Sequence, residues 1–141
     1  MFLRPAALSD IDNLAELENQ LFENGINEHS LSIEMEFSRI TVVGTPVCGY
    51  LIARFGTTLI DILRVGVHPD FRRRGIARSL LEETISRAYL PIILTVNCEN
   101  APARTLYASL GFRPVSYVPQ SNALILYRSG VDVNCAPQVQ R

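Results

Sequence analysis

The chain has 141 residues, 48% of them hydrophobic, and a formal net charge of −1. That length suits one domain with a substantial core, no apolar run reaches the roughly 20 residues a membrane-spanning helix needs, and the near-neutral balance argues against general nucleic-acid affinity. The charge is segregated, however: residues 1–40 carry Asp10, Asp12, Glu16, Glu18, Glu23, Glu28, Glu34 and Glu36 against Arg4 and Arg39, while the centre is rich in arginine, so an anionic ligand could be held at one site and a cationic one drawn to another.

The opening MFLRPAALSD lacks the charged, apolar and small-residue sections of a signal peptide, so export is not expected. Cys48, Cys98 and Cys135 have no metal-ligand spacing and suit reduced thiols in a cytoplasm, with no metal site implied. Every basic side chain other than histidine is arginine, so no lysine side chain here could be modified by a reactive acyl donor.

In chain order, Phe2-Leu3-Arg4 is a short strand closed by Pro5. Ser9 caps a helix over 9–20 whose Ile11, Leu14, Ala15, Leu17 and Leu21 form an apolar stripe. Asn24-Gly25 signals a turn, and Ser30 caps a second helix through about Phe37. Strands over Arg39–Val43, Pro46–Phe55 and Leu59–Val67, joined at Gly44-Thr45 and Gly56-Thr57, form an antiparallel meander. The run Leu59–Val67 is too continuous for a one-sided strand, which predicts burial on both faces. Pro69 stops it, and from Arg74 or Gly75 to Ala88 the spacing is helical, with Ile76, Ala77, Leu80, Leu81, Thr84 and Ile85 on one side. Pro91–Val96 reads as another buried strand, parallel to Leu59–Val67 through a right-handed crossover. Asn100 caps a helix ended by Gly111, and Phe112–Tyr117 and Ala123–Arg128 form a last antiparallel pair. Residues 129–141 lose periodicity and are expected to form a flexible tail, leaving 1–128 as a single domain.

The stretch with most chemistry is Arg72-Arg73-Arg74-Gly75-Ile76-Ala77, between the apolar strand and the central helix. A helix start presents backbone N–H groups without intrahelical partners and the positive end of the dipole. Gly75 lets the backbone approach closely, Ala77 keeps the next turn small, and the arginines neutralise charge. This is an anion site, or else a solvated basic turn. It lacks the Gly-Lys-Ser/Thr ending of a Walker A loop and the G-x-G-x-x-G of a dinucleotide site.

With these pieces in place, the chain resembles the GNAT superfamily of acyl-CoA-dependent N-acyltransferases. The order β-α-α-β-β-β-α-β-α-β-β runs from residue 2 to about 128, and the Arg/Gln-x-x-Gly-x-Gly/Ala pattern occurs as Arg72-x-x-Gly75-x-Ala77. Residues 94–112, LTVNCENAPARTLYASLGF, are similar to the N-A-x-x-L-Y-x-x-x-G-F block of N-terminal protein acetyltransferases, including the ribosomal-protein alanine branch. The resemblance implies a mixed α/β sheet, mostly antiparallel with one central parallel pair, and acetyl-CoA as donor between strands 59–67 and 91–96, which splay near their C-terminal ends. It implies a pantetheine arm paired with the backbone of Val65, Gly66 and Val67, and a pyrophosphate on the amides of Arg73, Arg74, Gly75, Ile76 and Ala77 beside Arg72. By the same match Tyr107 is the catalytic acid and Asn100 contacts the cofactor or fixes the loop.

The implied chemistry is attack of a neutral amine on the thioester carbonyl, backbone stabilisation of the oxyanion, and protonation of the departing thiolate. One position departs from the ribosomal-protein branch: where that branch carries an acidic residue in the L-x-V segment, this chain has Thr95, which cannot be a base at neutral pH. Glu34, Glu36, His68, Asn97 and Glu99 are the substitutes the sequence offers, and Cys98 lies near enough to raise an acyl-cysteine, although direct transfer is usual in the family. The acceptor groove would be framed by Leu21–Ser30 and by the loop around Tyr117–Asn122. An N-terminal α-amine of a protein or peptide is the leading acceptor. A small cationic amine such as a polyamine, an aminoacyl-tRNA, or a CoA-binding module without catalysis are the alternatives, in a monomer or homodimer.

Overall fold

The structure is a computed structural model that describes residues 1–130; Cys135 and all but the first two residues of the expected tail lie outside the described residues. Among the described residues there are seven strands, β1 (Leu3–Pro5), β2 (Arg39–Val43), β3 (Gly49–Phe55), β4 (Ile60–Val67), β5 (Ile92–Asn97), β6 (Arg113–Val118) and β7 (Ala123–Arg128), with four α-helices, α1 (Ile11–Leu21), α2 (Glu28–Phe37), α3 (Ile76–Arg87) and α4 (Ala101–Ser109). Their chain order is the one expected. The strands form a sheet in the order β1-β2-β3-β4-β5-β7-β6, in which β4 and β5 are parallel while β1–β2, β2–β3, β5–β7 and β6–β7 are antiparallel. The chain divides into two compact units, one of Met1–Arg54 with Leu63–Leu81 and one of Phe55–Ile62 with the residues from Glu82 on.

In the first unit α1 and α2 bury their apolar faces on the strands. Ile11, Leu14, Leu17, Leu31, Ile40, Val42, Tyr50 and Ile52 form one cluster, and burying each large side chain contributes about 1.5–3 kcal/mol. The helix starts differ from expectation. Ser9 does not cap α1: a 3₁₀ turn, Leu8–Asp10, comes first, and the Asp10 carboxylate accepts from the Ala7 N–H at 2.7 Å. The same carboxylate takes both Arg4 nitrogens at 2.7 and 2.9 Å. The Asp10 carboxylate thus reaches back to the N–H of Ala7, the residue that precedes the turn, and Ser9 lies inside the turn rather than before it. Likewise Asn27, not Ser30, caps α2, its Oδ1 accepting from the Ser30 N–H at 2.8 Å. Pro5 remains in β1 as the partner of Thr41, as an edge strand allows. Residues 44–47 form a turn, with Cys48 N–H donating to Val43 O at 2.8 Å, so β3 begins at Gly49 rather than Pro46.

In the second unit the parallel register runs from Ile60↔Ile92 to Ile62↔Leu94, and β7 pairs along all of β5, from Ile92↔Arg128 to Asn97↔Ala123. Asn100 caps α4 as expected, accepting from the Ala103 N–H at 3.3 Å, and Gly111, at φ +92°, ends the connection. The expected two-sided burial fails for both strands of the parallel pair. Along β4, Ile60, Ile62 and Gly66 are buried while Asp61, Leu63, Arg64, Val65 and Val67 are half-buried. Along β5, Thr95 and Asn97 are exposed, alternating with buried Leu94 and Val96. Polar Asp61, Thr95 and Asn97 interrupt the apolar runs on one side, so each strand presents one largely dry face and one partly solvated face, with Arg64 on the same side of β4 as Ile62 and Gly66.

Candidate functional site

The arginine-glycine turn lies in the first unit, between a short 3₁₀ turn, Pro69–Phe71, and the head of α3. Arg72, Arg73, Arg74 and Gly75 are all exposed. Ser79 N–H donates to Gly75 O at 3.0 Å, and the helix starts at Ile76, directly after Gly75 and within two residues of the start the spacing indicates. Two residues of the turn are left-handed, Arg73 at φ 65° and Gly75 at φ 78°. Glycine bears this without strain, whereas arginine bears it at about 1–2 kcal/mol. A Cβ built on Gly75 meets no atom within 4 Å. Space therefore stands open above the glycine at the positive end of a twelve-residue helix, which is the geometry an anion requires. The flanking arginines are held in place: Arg72 Nε donates to Val67 O at 3.3 Å, and the Arg74 guanidinium lies 5.1 Å from the centre of the Phe71 ring.

Val65, Gly66 and Val67 end β4. The two valines are half-buried apolar surface, while Gly66 is buried for an internal reason: a Cβ there would lie 2.6–2.8 Å from the Tyr50 ring atoms. The Tyr50 side chain is fully buried. Its hydroxyl donates to Glu18 Oε2 across a short contact, and burial together with that carboxylate holds the phenol well above its ordinary pKa. Arg64 Nε donates to both Glu18 oxygens at 3.1 Å. The sequence reading missed this cluster, although two signals marked it. Glu18 sits four residues after Leu14 on the apolar stripe of α1, and Arg64 interrupts an apolar strand; a buried carboxylate requires a partner, and a half-buried arginine on a neighbouring element can supply it.

In the second unit Asn100 serves α4 as its cap. Tyr107, also on α4, is half-buried, and its ring meets Phe112 edge to face at 5.9 Å. Burial raises its pKa above the ordinary tyrosine value, so the phenol stays protonated at neutral pH. Thr95 is exposed on β5. Asn97 Oδ1 accepts from the Glu99 N–H at 2.8 Å, and Glu99 Oε2 accepts from Asn122 Nδ2 at 3.3 Å. Asn122, left-handed at φ 50°, takes the Tyr117 hydroxyl on Oδ1 at 3.2 Å and the Cys98 N–H on its carbonyl at 2.9 Å. The loop before β7 is thereby tied to the loop before α4.

The other residues considered as bases are placed as follows. Glu34 accepts from Ser38 and, at 2.6 Å, from Arg54. Burial pushes its pKa up, but these two hydrogen bonds and the Arg54 charge outweigh it, leaving the carboxyl below its ordinary value and a poorer base. Glu36 is exposed on α2. His68 Nδ1 accepts from the Asp70 N–H at 3.1 Å, which uses one nitrogen as a turn cap, and His68 and Phe71 line a groove with Asn13, Glu16 and Gln20 of α1. Cys98 is half-buried, and Cys48, in the first unit, is buried. No group of His, Cys, Asp and Glu among the described residues could hold a metal ion, and no helix among them is long and apolar enough to cross a membrane.

Comparison with known proteins agrees with this arrangement. Residues 36–114 match the family described as Acetyltransferase (GNAT) domain. An uncharacterized protein of Mycobacterium leprae is 30% identical over 130 residues, covering 82% of this chain and 36% of that protein. The [ribosomal protein bS18]-alanine N-acetyltransferase of Salmonella typhimurium is 44% identical over 55 residues, 36% of this chain and 37% of that protein. The chain thus spans little more than a third of either relative. N-alpha-acetyltransferase RimI of Mycobacterium tuberculosis is 34% identical over 119 residues, 76% of this chain and 75% of that protein. Among solved structures, the ribosomal-protein-S18-alanine N-acetyltransferase from Escherichia coli superimposes with a TM-score of 0.78 at 20% identity, covering 91% of this chain and 92% of that one, a likeness of fold. The match over 36–114 contains β4, the arginine-glycine turn, α3 and the Asn100–Phe112 block, and the chain belongs to the GNAT acetyltransferase domain family.

Proposed function

We propose that the chain is an acetyl-CoA-dependent N-acetyltransferase whose acceptor is a primary amine, foremost the N-terminal α-amine of a protein or peptide, acting in the cytoplasm where its thiols stay reduced. The observation that carries the reading is the exposed arginine-glycine turn at the head of α3, with open space above Gly75. Arg72, Arg73 and Arg74 supply positive charge there, and the amides of Gly75, Ile76 and Ala77 supply donors for a diphosphate. The half-buried Val65 and Val67 offer apolar surface, and the β4 backbone offers a hydrogen-bonding edge, for an amide-bearing arm. Asn100 holds the loop that opens α4.

The donor brings the thioester. The amine lone pair forms the C–N bond at its carbonyl carbon, the C–S bond breaks, the ammonium proton leaves to solvent, and the thiolate acquires a proton. Tyr107 is the donor to that sulfur. Its raised pKa makes it a constant hydrogen-bond donor that stabilises the developing thiolate and is restored from water, rather than an acid that titrates near neutrality. With threonine at position 95 and Glu34 and Glu99 engaged in hydrogen bonds, the acceptor's own basicity decides how much of it reacts. An α-amine of pKa ~8 is neutral about 250-fold more often than a lysine ε-amine of pKa ~10.4, which favours chain termini. The names of relatives that acetylate an alanine of a ribosomal protein point the same way.

A second acceptor has its own support. On the surface of α1 and α2, Glu28 stands close to Asp12 and Glu16, and these neighbouring carboxyl groups, Asp12 foremost, raise its pKa, a crowding of negative charge that a cationic polyamine would relieve. Mass spectrometry of products decides between them, offering acetyl-CoA with a mixture of peptides of differing first residue, lysine-bearing blocked peptides, spermidine and charged tRNA. Acetylated peptide termini are the expected products. Acetylation of spermidine alone would replace the peptide reading, and no acetylated product of any class would remove the enzyme assignment.

A further inference from the structure

The Glu18 cluster has no part in the chemistry above, yet it joins three elements of the first unit. From α1, Glu18 offers a carboxylate with no exposed side-chain surface. From β3, Tyr50 packs its ring on Gly66 of β4 and gives its hydroxyl to Glu18 Oε2. From β4 itself, Arg64 gives its Nε to both carboxylate oxygens. The remaining contacts all run to the segment between α1 and α2. Ile26 N–H donates to Glu18 Oε1 at 2.9 Å, and Arg64 donates through Nη2 to Asn24 O at 3.1 Å. The guanidinium lies 4.1 Å from the centre of the Phe22 ring, and Gly25 rests on the Glu18 backbone so closely that a Cβ would fall 2.7 Å from it. Phe22, Asn24 and Ile26 are therefore each fastened to one carboxylate or to its arginine, and Gly25 to the backbone of Glu18. Glu23, whose side chain is exposed, is left facing solvent.

Glu18 cannot act on a substrate, because its carboxylate is sealed from solvent and already takes a hydroxyl, an amide and a guanidinium. A buried ion pair is weak evidence for stability and better evidence for a fixed conformation. What this one fixes is a short connection of otherwise irregular backbone, holding it to the end of the strand that carries Val65–Val67. We propose that Glu18 is a positioning residue which, through Tyr50 and Arg64, locks the 22–26 connection into the one conformation that receives the acceptor, so that acceptor selectivity depends on this buried strut. The inference rests on the acetyltransferase reading for its kinetic part and on geometry alone for its structural part.

Tyr50→Phe removes one hydroxyl and keeps the ring on Gly66, and Glu18→Gln keeps the shape while removing the charge. In both, hydrogen–deuterium exchange of the Ile26 amide should accelerate at least tenfold relative to the amides of β2. With acetyl-CoA and an alanine-initiated peptide, the acceptor KM should rise about tenfold while the thermal shift produced by acetyl-CoA stays within twofold of the parent's. If Glu18→Gln fails to fold, Tyr50→Phe carries both measurements alone. Unchanged exchange at Ile26 in the folded variants overturns the strut. Faster exchange with an unchanged acceptor KM overturns its role in selectivity. An absent acetyl-CoA shift in the parent protein sinks the acetyltransferase reading and leaves the exchange test of the strut standing.

Discussion

Substitution at Gly75 separates a glycine kept for backbone conformation from one kept for a ligand. At φ 78° an L-residue is disfavoured, so Gly75→Ala should cost about 1–2 kcal/mol from strain alone. No clash adds to this, since a Cβ at this position has no neighbour within 4 Å. For a chain of this size each kcal/mol lowers Tm by roughly 3–5 °C, so Gly75→Ala should melt about 3–10 °C below the parent. Gly75→Asn should lose less, because asparagine tolerates the left-handed region. Donor binding should follow a different order. In the parent, acetyl-CoA at a hundred times its Kd adds about 2.7 kcal/mol. A methyl group pointing into the space intended for the diphosphate should weaken binding about tenfold, the equivalent of ~1.4 kcal/mol. Gly75→Glu places a carboxylate there, and like charges about 5 Å apart at an effective dielectric near 20 repel by roughly 3 kcal/mol, which erases the gain. The assay is a thermal melt of each variant over an acetyl-CoA titration, with calorimetry to fix Kd. If Gly75→Glu is folded and keeps the parent's acetyl-CoA shift, the diphosphate does not sit on this turn and the assignment of the loop is wrong.

Two further outcomes follow from the geometry. Tyr107→Phe should leave Tm and the acetyl-CoA shift within error, because the buried ring and its contact with Phe112 are kept, yet lower kcat by about 10²-fold or more; an unchanged kcat removes Tyr107 from the reaction. Asp10→Ala removes the acceptor of Ala7 N–H and of both Arg4 nitrogens, which should cost about 2–3 kcal/mol at pH 7. The Arg4 hydrogen bonds hold the Asp10 pKa below its ordinary value, against an upward push from burial and with help from the Ala7 amide and the Arg4 charge. The stabilisation is therefore complete above the unfolded value near ~4 and fades as pH falls through the lower folded value. Melts at pH 7 and pH 2 should show the gap between parent and variant closing in acid, and a constant gap would refute the ion pair as its source.

The order of elements and the position of the anion turn were legible because each rests on local rules. A change of period from strand to helix, with Gly75 at the junction, placed the start of α3 at Arg74 or Gly75, one or two residues before its observed start at Ile76, and Asn100 announced α4 by its side chain. Caps were less legible, since the turn Leu8–Asp10 takes Ser9 into the helical segment, where it no longer precedes the first turn. Asp10 is held by Arg4, and Arg4 in turn donates to the Gly44 carbonyl at 3.1 Å and the Thr45 hydroxyl at 3.2 Å, partners from a distant turn that no local rule weighs. Burial along β4 and β5 was misjudged for a related reason. Apolar composition alone suggested two covered faces, while Arg64, Thr95 and Asn97 required a wet face or a buried partner.

Gly66 shows how the two kinds of information combine. The family resemblance nominates it as backbone that pairs with the donor, a role in which a side chain would be tolerable if it pointed away from the ligand. The structure shows that its side-chain direction is occupied by the Tyr50 ring, at 2.6–2.8 Å from a built Cβ, and that this ring is one wall of the Glu18 cluster. The glycine therefore answers to two demands, an accessible backbone and a tyrosine beneath it. The second demand could not be read from the strand's own residues, because Tyr50 and Glu18 lie on other elements. A single small residue thus connects the strand proposed to hold the donor with the buried carboxylate proposed to set the acceptor loop, and it gives the polar cluster a reason to persist in a core where apolar packing would stabilise as well.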